Sequence, residues 1–471
     1  MASLSSRSLN YTGFKGSQPA ADYVSKDVRR QIAKVDVPEY MKFMQARLAS
    51  EAVDGVRELA GEAGCILGKI SDEDYFVSDS DVGINGAYGS ACALVRPGRP
   101  DGSLRIIFAH TDAPSLRIAS QPIYIQTDAD NALVCPTVAL STVPNGGIRA
   151  DDWYGSEVDI AGSVFLRGLE KKVCLPGRIR QKSLHVDDTE EAKTFLGLKV
   201  DTGYRTIGEL YKSLGMKDDM DFARASLFVV PHFSGKNGRL VGNELGGYGH
   251  DDRACLWAAN RACLDAMKTG DGNTMIVLGL DREEVGSTGS SGAYHGFAEA
   301  VIGETLARVH GAQETRGFNL PQDLYRGLMG GFPAISADGD VALGDLEIEG
   351  IPDDIDLQNS AKLGWGPFIS ADDSEFDQRG VSREHIGKLM DMFEKGIGGR
   401  TPRNRYQIIG NCNTPDSPFA AGTFSDALDR HLPCVDVGIP MSGLHHPRVE
   451  TVNIFDLHFA KEFYRLYCEA S

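Results

Sequence analysis

Five short stretches of the chain carry the residue types that hydrolytic metal sites use. In AHTDAP, His110 and Asp112 stand two apart, so on an extended strand they point the same way. A cation-binding imidazole needs its second nitrogen held by an acceptor, and a carboxylate two residues on supplies one. The same pair also suits a merely polar strand end. In GYGHDDRACLWA, His250, Asp251, Asp252 and Arg253 stand before a helical pattern. An Asp there either caps the helix or bridges two cations, one oxygen to each, as in sites whose metals lie about 3.5–4 Å apart. DREEVGS supplies Glu283 and Glu284 after the apolar run TMIVLGL. Adjacent carboxylates project differently, so one can bind a cation while the other receives a proton from the water that the cation acidifies. A solvated acidic loop is the plain alternative. Asp338 follows the apolar AIS, and His445 and His446 follow VDVGIPMSGL. Together the stretches offer the mixed nitrogen and oxygen donors of a zinc pair.

The elements that must position these residues are legible in outline. GSLRIIFAH predicts a buried strand ending at His110, and NTMIVLGL a second ending just before Glu283 and Glu284. GFPAIS and HLPCVDVGIP predict two more. Polar ligand types at the ends of such strands are where open α/β sheets place their chemistry. Helical spacing marks Asp36 to Cys65 as one or two amphipathic helices, DDRACLWAANRACLDAMKTG as an amphipathic helix with a Gly stop, and SGAYHGFAEAVIGETLARVHG and NIFDLHFAKEFYRLYCEAS as two further helices. Between them, residues 120–235 have a different texture of short strand-like segments and turns, interrupted by the helical TIGELYKSLGM. The expected organisation is therefore a catalytic α/β domain in two parts, 1–119 and 236–471, around an inserted β-rich domain at 120–235.

Composition narrows the class. A chain of 471 residues exceeds what one hydrophobic core usually serves. Its 66 Asp plus Glu against 48 Lys plus Arg give a net charge of -18, which argues against nucleic acid or an anionic membrane as partner. The N-terminal MASLSSRSLNYTGFKG carries no apolar signal segment, and no run of about 18 apolar residues occurs. Nine cysteines without CxxC spacing read as reduced thiols rather than a disulfide framework, so the expected location is the cytoplasm.

The stretches HTDAPSLRI, HDDRA, DREEVGSTGSSGA, SAD and VDVGIPM…LHHPR together resemble the aspartyl aminopeptidase family of dinuclear zinc exopeptidases, relatives of the tetrahedral and dodecameric aminopeptidases. The resemblance spans nearly the whole chain. It implies a zinc-exopeptidase-like α/β/α sandwich with an inserted β-rich oligomerisation domain, peptide substrates and a homo-oligomer, up to a dodecamer. It implies two Zn2+ per subunit, with Co2+ or Mn2+ as substitutes. His110, Asp251 and Asp338 would hold one, and Asp251, Glu284 and His445 the other. Asp112 would orient His110, and Glu283 would be the general base and acid. The family commonly has a cis peptide after its bridging Asp, here Asp251–Asp252.

Two registers stay open. SAD occurs at both Ser336–Asp338 and Ser370–Asp372, which leaves Asp372 as the alternative to Asp338, and His446 is the alternative to His445. The chain also departs from the pattern. Val341 stands where relatives carry a His, and PNGGIRADDWYG shows no equivalent of the inserted-domain His that relatives send toward a neighbouring subunit. His185 matches another family position. After GPFI the basic, amide-rich family segment is replaced by SADDSEFDQRG, with Asp372, Asp373, Glu375 and Asp377. Carboxylates beside the substrate pocket disfavour an acidic N-terminal residue and favour a neutral or basic one. His250 reads as a local hydrogen-bonding residue, and Arg448 as a partner of Glu450 or of a substrate carboxylate. The competing functions are a dinuclear-metal deacylase or carboxypeptidase acting on a non-peptide amide, and a catalytically silent shell-forming protein.

Overall fold

The computed structural model describes residues 24–67, 75–78, 90–124, 137–166, 168–180, 198–268, 272–289, 291–294, 296–310, 328–343, 360–371, 383–396, 406–410 and 432–470. Asp372, the acidic run after it, and His185 lie outside the described residues.

The described strands run in chain order as β1 (Ile66–Leu67), β2 (Tyr75–Ser78), β3 (Cys92–Arg96), β4 (Leu104–His110), β5 (Ser115–Tyr124), β6 (Ala139–Asn145) and β7 (Glu157–Leu166). They continue as β8 (Leu169–Ile179), β9 (Lys199–Asp201), β10 (Ala225–Pro231), β11 (Arg239–Val241), β12 (Glu244–Gly247), β13 (Thr274–Leu280) and β14 (Ala334–Ser336). The last are β15 (Asp340–Leu343), β16 (Ala361–Lys362), β17 (Phe368–Ser370), β18 (Gln407–Ile409), β19 (Cys434–Gly438), β20 (Pro440–Ser442) and β21 (Glu450–Asn453).

Nine of them form a central mixed sheet in the order β1-β2-β3-β13-β4-β14-β19-β17-β18. Its heart is parallel, with β13 and β14 flanking β4 and β19 beyond β14. Such strands are covered on both faces, which is why LRIIFAH and TMIVLGL are mainly apolar and buried at every position. Side chains alternate. Ile107, Ala109, Met275 and Val277 join the layer of the helices His250–Ala266, Arg383–Gly396 and Ile454–Glu469. Ile106, Phe108, Ile276 and Leu278 join the opposite layer, where helix Gly296–His310 supplies Phe297, Val301 and Ile302. The architecture is thus a mixed α/β sandwich with helices on both faces.

One helix differs from its sequence reading. His250–Ala266 is buried on all sides apart from Arg261 and Asp265, not amphipathic. It lies between the sheet and the C-terminal helix, and its many Ala and Cys residues allow that close approach.

Strands β5 to β10 close into a barrel, in the order β10-β5-β6-β9-β8-β7. Its first strand starts at Ser115, directly after the HTDAP turn that carries His110 and Asp112. Leu116, Leu140, Val158, Ile160, Val200, Leu227 and Val229 fill the interior and its cap, helix Ile207–Leu214. That helix follows from its sequence: Thr206 and Glu209 form a capping box, and Gly215, at φ 80°, ends it in the left-handed region. A third sheet, β11-β12-β21-β20-β15-β16, lies beside the sandwich.

Candidate metal centre

The site forms where the central sheet and the third sheet meet. β4 ends at His110, and β13, paired to it in register, ends at Leu280, two residues short of the Glu283–Glu284 turn. Asp338 stands between β14 of the central sheet and β15 of the third. β12 leads through Gly249, at φ 76°, into Asp251, and β20 leads into the loop of His445. Residues as far apart in sequence as His110 and His445 thereby belong to one small volume because parallel strands end on the same side.

Asp251 occupies the centre. Its Oδ1 lies 3.1 Å from His110 Nε2, and its Oδ2 lies 3.3 Å from His445 Nε2. Asp338 Oδ1 is 3.3 Å from His110 Nε2, and Glu284 Oε2 is 3.7 Å from His445 Nε2. Each oxygen of one carboxylate therefore faces a different imidazole, and each imidazole faces a further carboxylate. The peptide Asp251–Asp252 is cis. Asp252 also comes within ligand distance of His110 and Asp338. Its carboxylate, however, is fully buried and accepts the backbone N–H of His110 at 3.1 Å, so it holds the strand end from beneath.

The expected orienting role of Asp112 has a geometric counterpart. His110 Nδ1 lies 3.1 Å from the Asp112 carbonyl and 3.3 Å from its Oδ1. The same carboxylate does something that the spacing does not foretell: it accepts the backbone N–H of Glu283 at 3.2 Å and of Glu284 at 3.3 Å. One side chain thus fixes the His110 ring and the carboxylate turn together.

The His445/His446 register separates cleanly. His446 Nδ1 accepts the backbone N–H of Arg448 and of Val449, at 3.1 and 3.2 Å, and its Nε2 lies 3.8 Å from Asp152 on the barrel side. His445 is the one that meets Asp251 and Glu284. Arg448 does not pair with Glu450: its Nη2 donates to the carbonyl of Glu157, at 2.9 Å, because Glu450 is buried and engaged by backbone N–H groups. His250 meets the Tyr40 hydroxyl at 2.6 Å, and burial lowers it to about 3, so it is a neutral local partner.

The electrostatics call for cations. Burial, then the charges of Asp338 and other carboxylates, pushes Glu283 up to about 8, and burial with Asp251 pushes Glu284 well above the ordinary carboxylate range. Burial would lower His110, but bonds from Asp112, Asp251 and Asp338 outweigh it and raise it well above its ordinary value. Glu284 Oε1 is buried without a hydrogen-bond partner. Buried carboxylates in such number need positive charge among them, and an unpartnered carboxylate oxygen beside two imidazoles suits a divalent cation of borderline softness such as zinc.

Sequence reasoning missed two contributors. The turn Gly146–Gly147 after β6 presses onto the site: a Cβ on Gly146, at φ 92°, would meet Glu284 Cβ and Oε2 at 3.0 Å, and one on Gly147 would meet His445 Nδ1 at 3.1 Å. His445 also bonds to the Gly147 backbone. The paired glycines in PNGG were the available signal. Glu450 had no signal beyond its charge.

Residues 180–322 match the family described as aminopeptidase I zinc metalloprotease (M18), and the carboxylates of that span, Asp251, Glu283 and Glu284, lie at the middle of the site. Over that span, and along most of its length, the chain is similar to M18 metallopeptidases. A probable M18 family aminopeptidase 1 of Thermotoga maritima is 26% identical over 443 residues, covering 87% of this chain and 90% of its own. An M18-family aminopeptidase structure from Thermotoga maritima aligns with a TM-score of 0.78 at 22% identity, over 97% of this chain and 99% of that one. The mApe1 dodecamer of S. cerevisiae aligns with a TM-score of 0.66 at 15% identity, over 93% and 97%. At those identities the two structures establish the M18 fold. His110, Asp338 and His445 lie outside the matched span, so their place beside its carboxylates is a finding of this chain's own geometry.

Proposed function

We propose that this chain is an M18-type aminopeptidase with two zinc ions, His110, Asp251 and Asp338 holding one and Asp251, Glu284 and His445 the other. The observation that carries the reading is the central carboxylate: the two oxygens of Asp251 face the two histidines separately, at 3.1 and 3.3 Å. A zinc pair supplies Lewis acidity to polarise a scissile carbonyl and lower the pKa of water. The protein's own work is positional and protolytic. Asp112 holds the His110 ring and the backbone of Glu283 and Glu284 in one frame. Glu283, adjacent to the ligand Glu284 and not itself a ligand, takes the proton of the attacking water and returns it to the leaving amine.

The barrel of β5 to β10 is the assembly domain in this reading, giving a homo-oligomer of up to twelve subunits as in the mApe1 dodecamer. Seven described cysteines are free thiols, which supports a cytoplasmic location. Among the described residues no helix is long and apolar enough to cross a membrane. The acidic run after Ser370 supports release of neutral or basic N-terminal residues over acidic ones.

Zinc content per chain and a panel of aminoacyl chromogenic amides test the reading, with Glu283→Gln as the blank. Two zinc ions, with turnover lost in the blank, support it. Two zinc ions with silence across the panel would turn the assignment toward a deacylase or a silent shell protein.

A further inference from the structure

The third sheet contains a carboxylate whose placement goes beyond packing. In the order β12-β21-β20, β21 lies between the strand that leads into Asp251 and the strand that leads into His445. Gly247 of β12 pairs with Glu450, and Ser442 of β20 pairs with Thr451. Glu450 is therefore the residue at which both loops leave the sheet. It is 0% exposed. Its Oε2 accepts the backbone N–H of His250 at 2.7 Å and reaches that of Asp251 at 3.4 Å, while its Oε1 accepts the backbone N–H of His445 at 2.9 Å. His445 stands at φ 63°, a region that residues with a side chain enter rarely, and the Glu450 bond holds it there.

A buried carboxylate is an expensive way to close a hairpin, since an apolar side chain does so without desolvating a charge. Two carboxylate oxygens do what an apolar group cannot: they fix two separate loops in direction as well as distance. We propose that Glu450 is the positioning residue that sets Asp251 against His445 and so determines the affinity of the site for its second cation. The proposal rests on the dinuclear reading above.

Zinc titration against a chromophoric chelator, with thermal unfolding of zinc-free and zinc-loaded protein, tests it on the wild-type chain, Glu450→Gln, Glu450→Asp and Glu283→Gln. In Glu450→Gln an amide NH2 must face one of the two loops and release it. The zinc held with His445, which depends on both loops, should bind about 10- to 100-fold more weakly, and the other, which depends on Asp251 alone, should lose less, with a smaller zinc-induced rise in Tm. Glu283→Gln should bind both normally. If Glu450→Gln lowers both Tm values equally and leaves both zinc affinities unchanged, its role is structural and the proposal is overturned. Glu450→Asp keeps the charge but cannot span both loops, and carries the same test if the Gln variant does not fold. Failure of both to fold assigns Glu450 to the core and also overturns the proposal. A wild-type chain that binds fewer than two zinc ions sinks the dinuclear reading itself, and Glu450 with it.

Discussion

Replacing Asp112 by Asn changes one oxygen to an NH2 without changing shape, and the structure predicts which contact fails. Oδ1 serves two groups, His110 Nδ1 at 3.3 Å and the Glu283 N–H at 3.2 Å, whereas Oδ2 serves the Glu284 N–H at 3.3 Å. The amide keeps its oxygen on the doubly used side, so the NH2 confronts the Glu284 N–H. That donor loses a charge-assisted acceptor in a buried setting, a cost of about 1–3 kcal/mol. Glu284, one of the proposed ligands, is thereby released while His110 stays in place. If the cost falls on the zinc-bound geometry, affinity at the Glu284 and His445 side drops by roughly 5- to 150-fold, since each 1.4 kcal/mol is tenfold. Chelator competition reads this directly, and kcat/KM measured with and without excess zinc shows how much activity returns on loading. A variant with unchanged zinc affinity and kcat/KM within twofold of the wild type would refute the idea that Asp112 couples the two halves of the site.

Other expectations follow from single contacts. Glu283→Gln should retain full zinc content yet lose about 10²–10⁴ in kcat, as removal of a general base does, and loss of zinc instead would make Glu283 a ligand. Gly146→Ala places a methyl group 3.0 Å from Glu284 at a left-handed φ, so it should destabilise the fold by about 1–3 kcal/mol and loosen zinc; an unchanged Tm counts against the barrel turn touching the site. Chelation of wild-type protein should lower Tm by several degrees, because the buried carboxylates lose their counter-charge, and zinc should restore it. Asp36, buried against His458 and Lys461 at 2.6 and 2.8 Å, ties the N-terminal helices to the C-terminal one. Burial raises its carboxyl, but those partners outweigh burial and leave it below the ordinary value. Its contribution is accordingly complete above the unfolded carboxyl pKa of about 3.9 and is lost as pH falls through the folded value. Asp36→Asn should cost about 3–5 kcal/mol near neutrality, the scale for breaking a buried pair, and flatten the acid limb of a denaturation profile.

Much of the molecule was readable from residue order because the signals are local. LRIIFAH and TMIVLGL are strands buried on both faces, and a chain of that composition has few other uses for them. Thr206, Glu209 and Gly215 mark the ends of their helix by themselves. Ligand types at strand ends and one helix entry marked His110, Asp251, Glu284, Asp338 and His445 among the candidates, and the family resemblance singled them out from their neighbours.

Only the tertiary structure decided how the candidates combine. Adjacent histidines are equivalent on paper, yet the loop after β20 turns His445 toward Asp251 and His446 toward its own backbone and Asp152. The helix of His250 was expected to be amphipathic because sequence does not say how many layers will cover it. Asp112 and Glu450 act through backbone N–H groups. Every residue but proline carries such a donor, so no side-chain pattern marks which ones a buried carboxylate will find. Residue types and spacing therefore determined the chemistry available to this chain, while strand register and loop direction determined which oxygen faces which nitrogen.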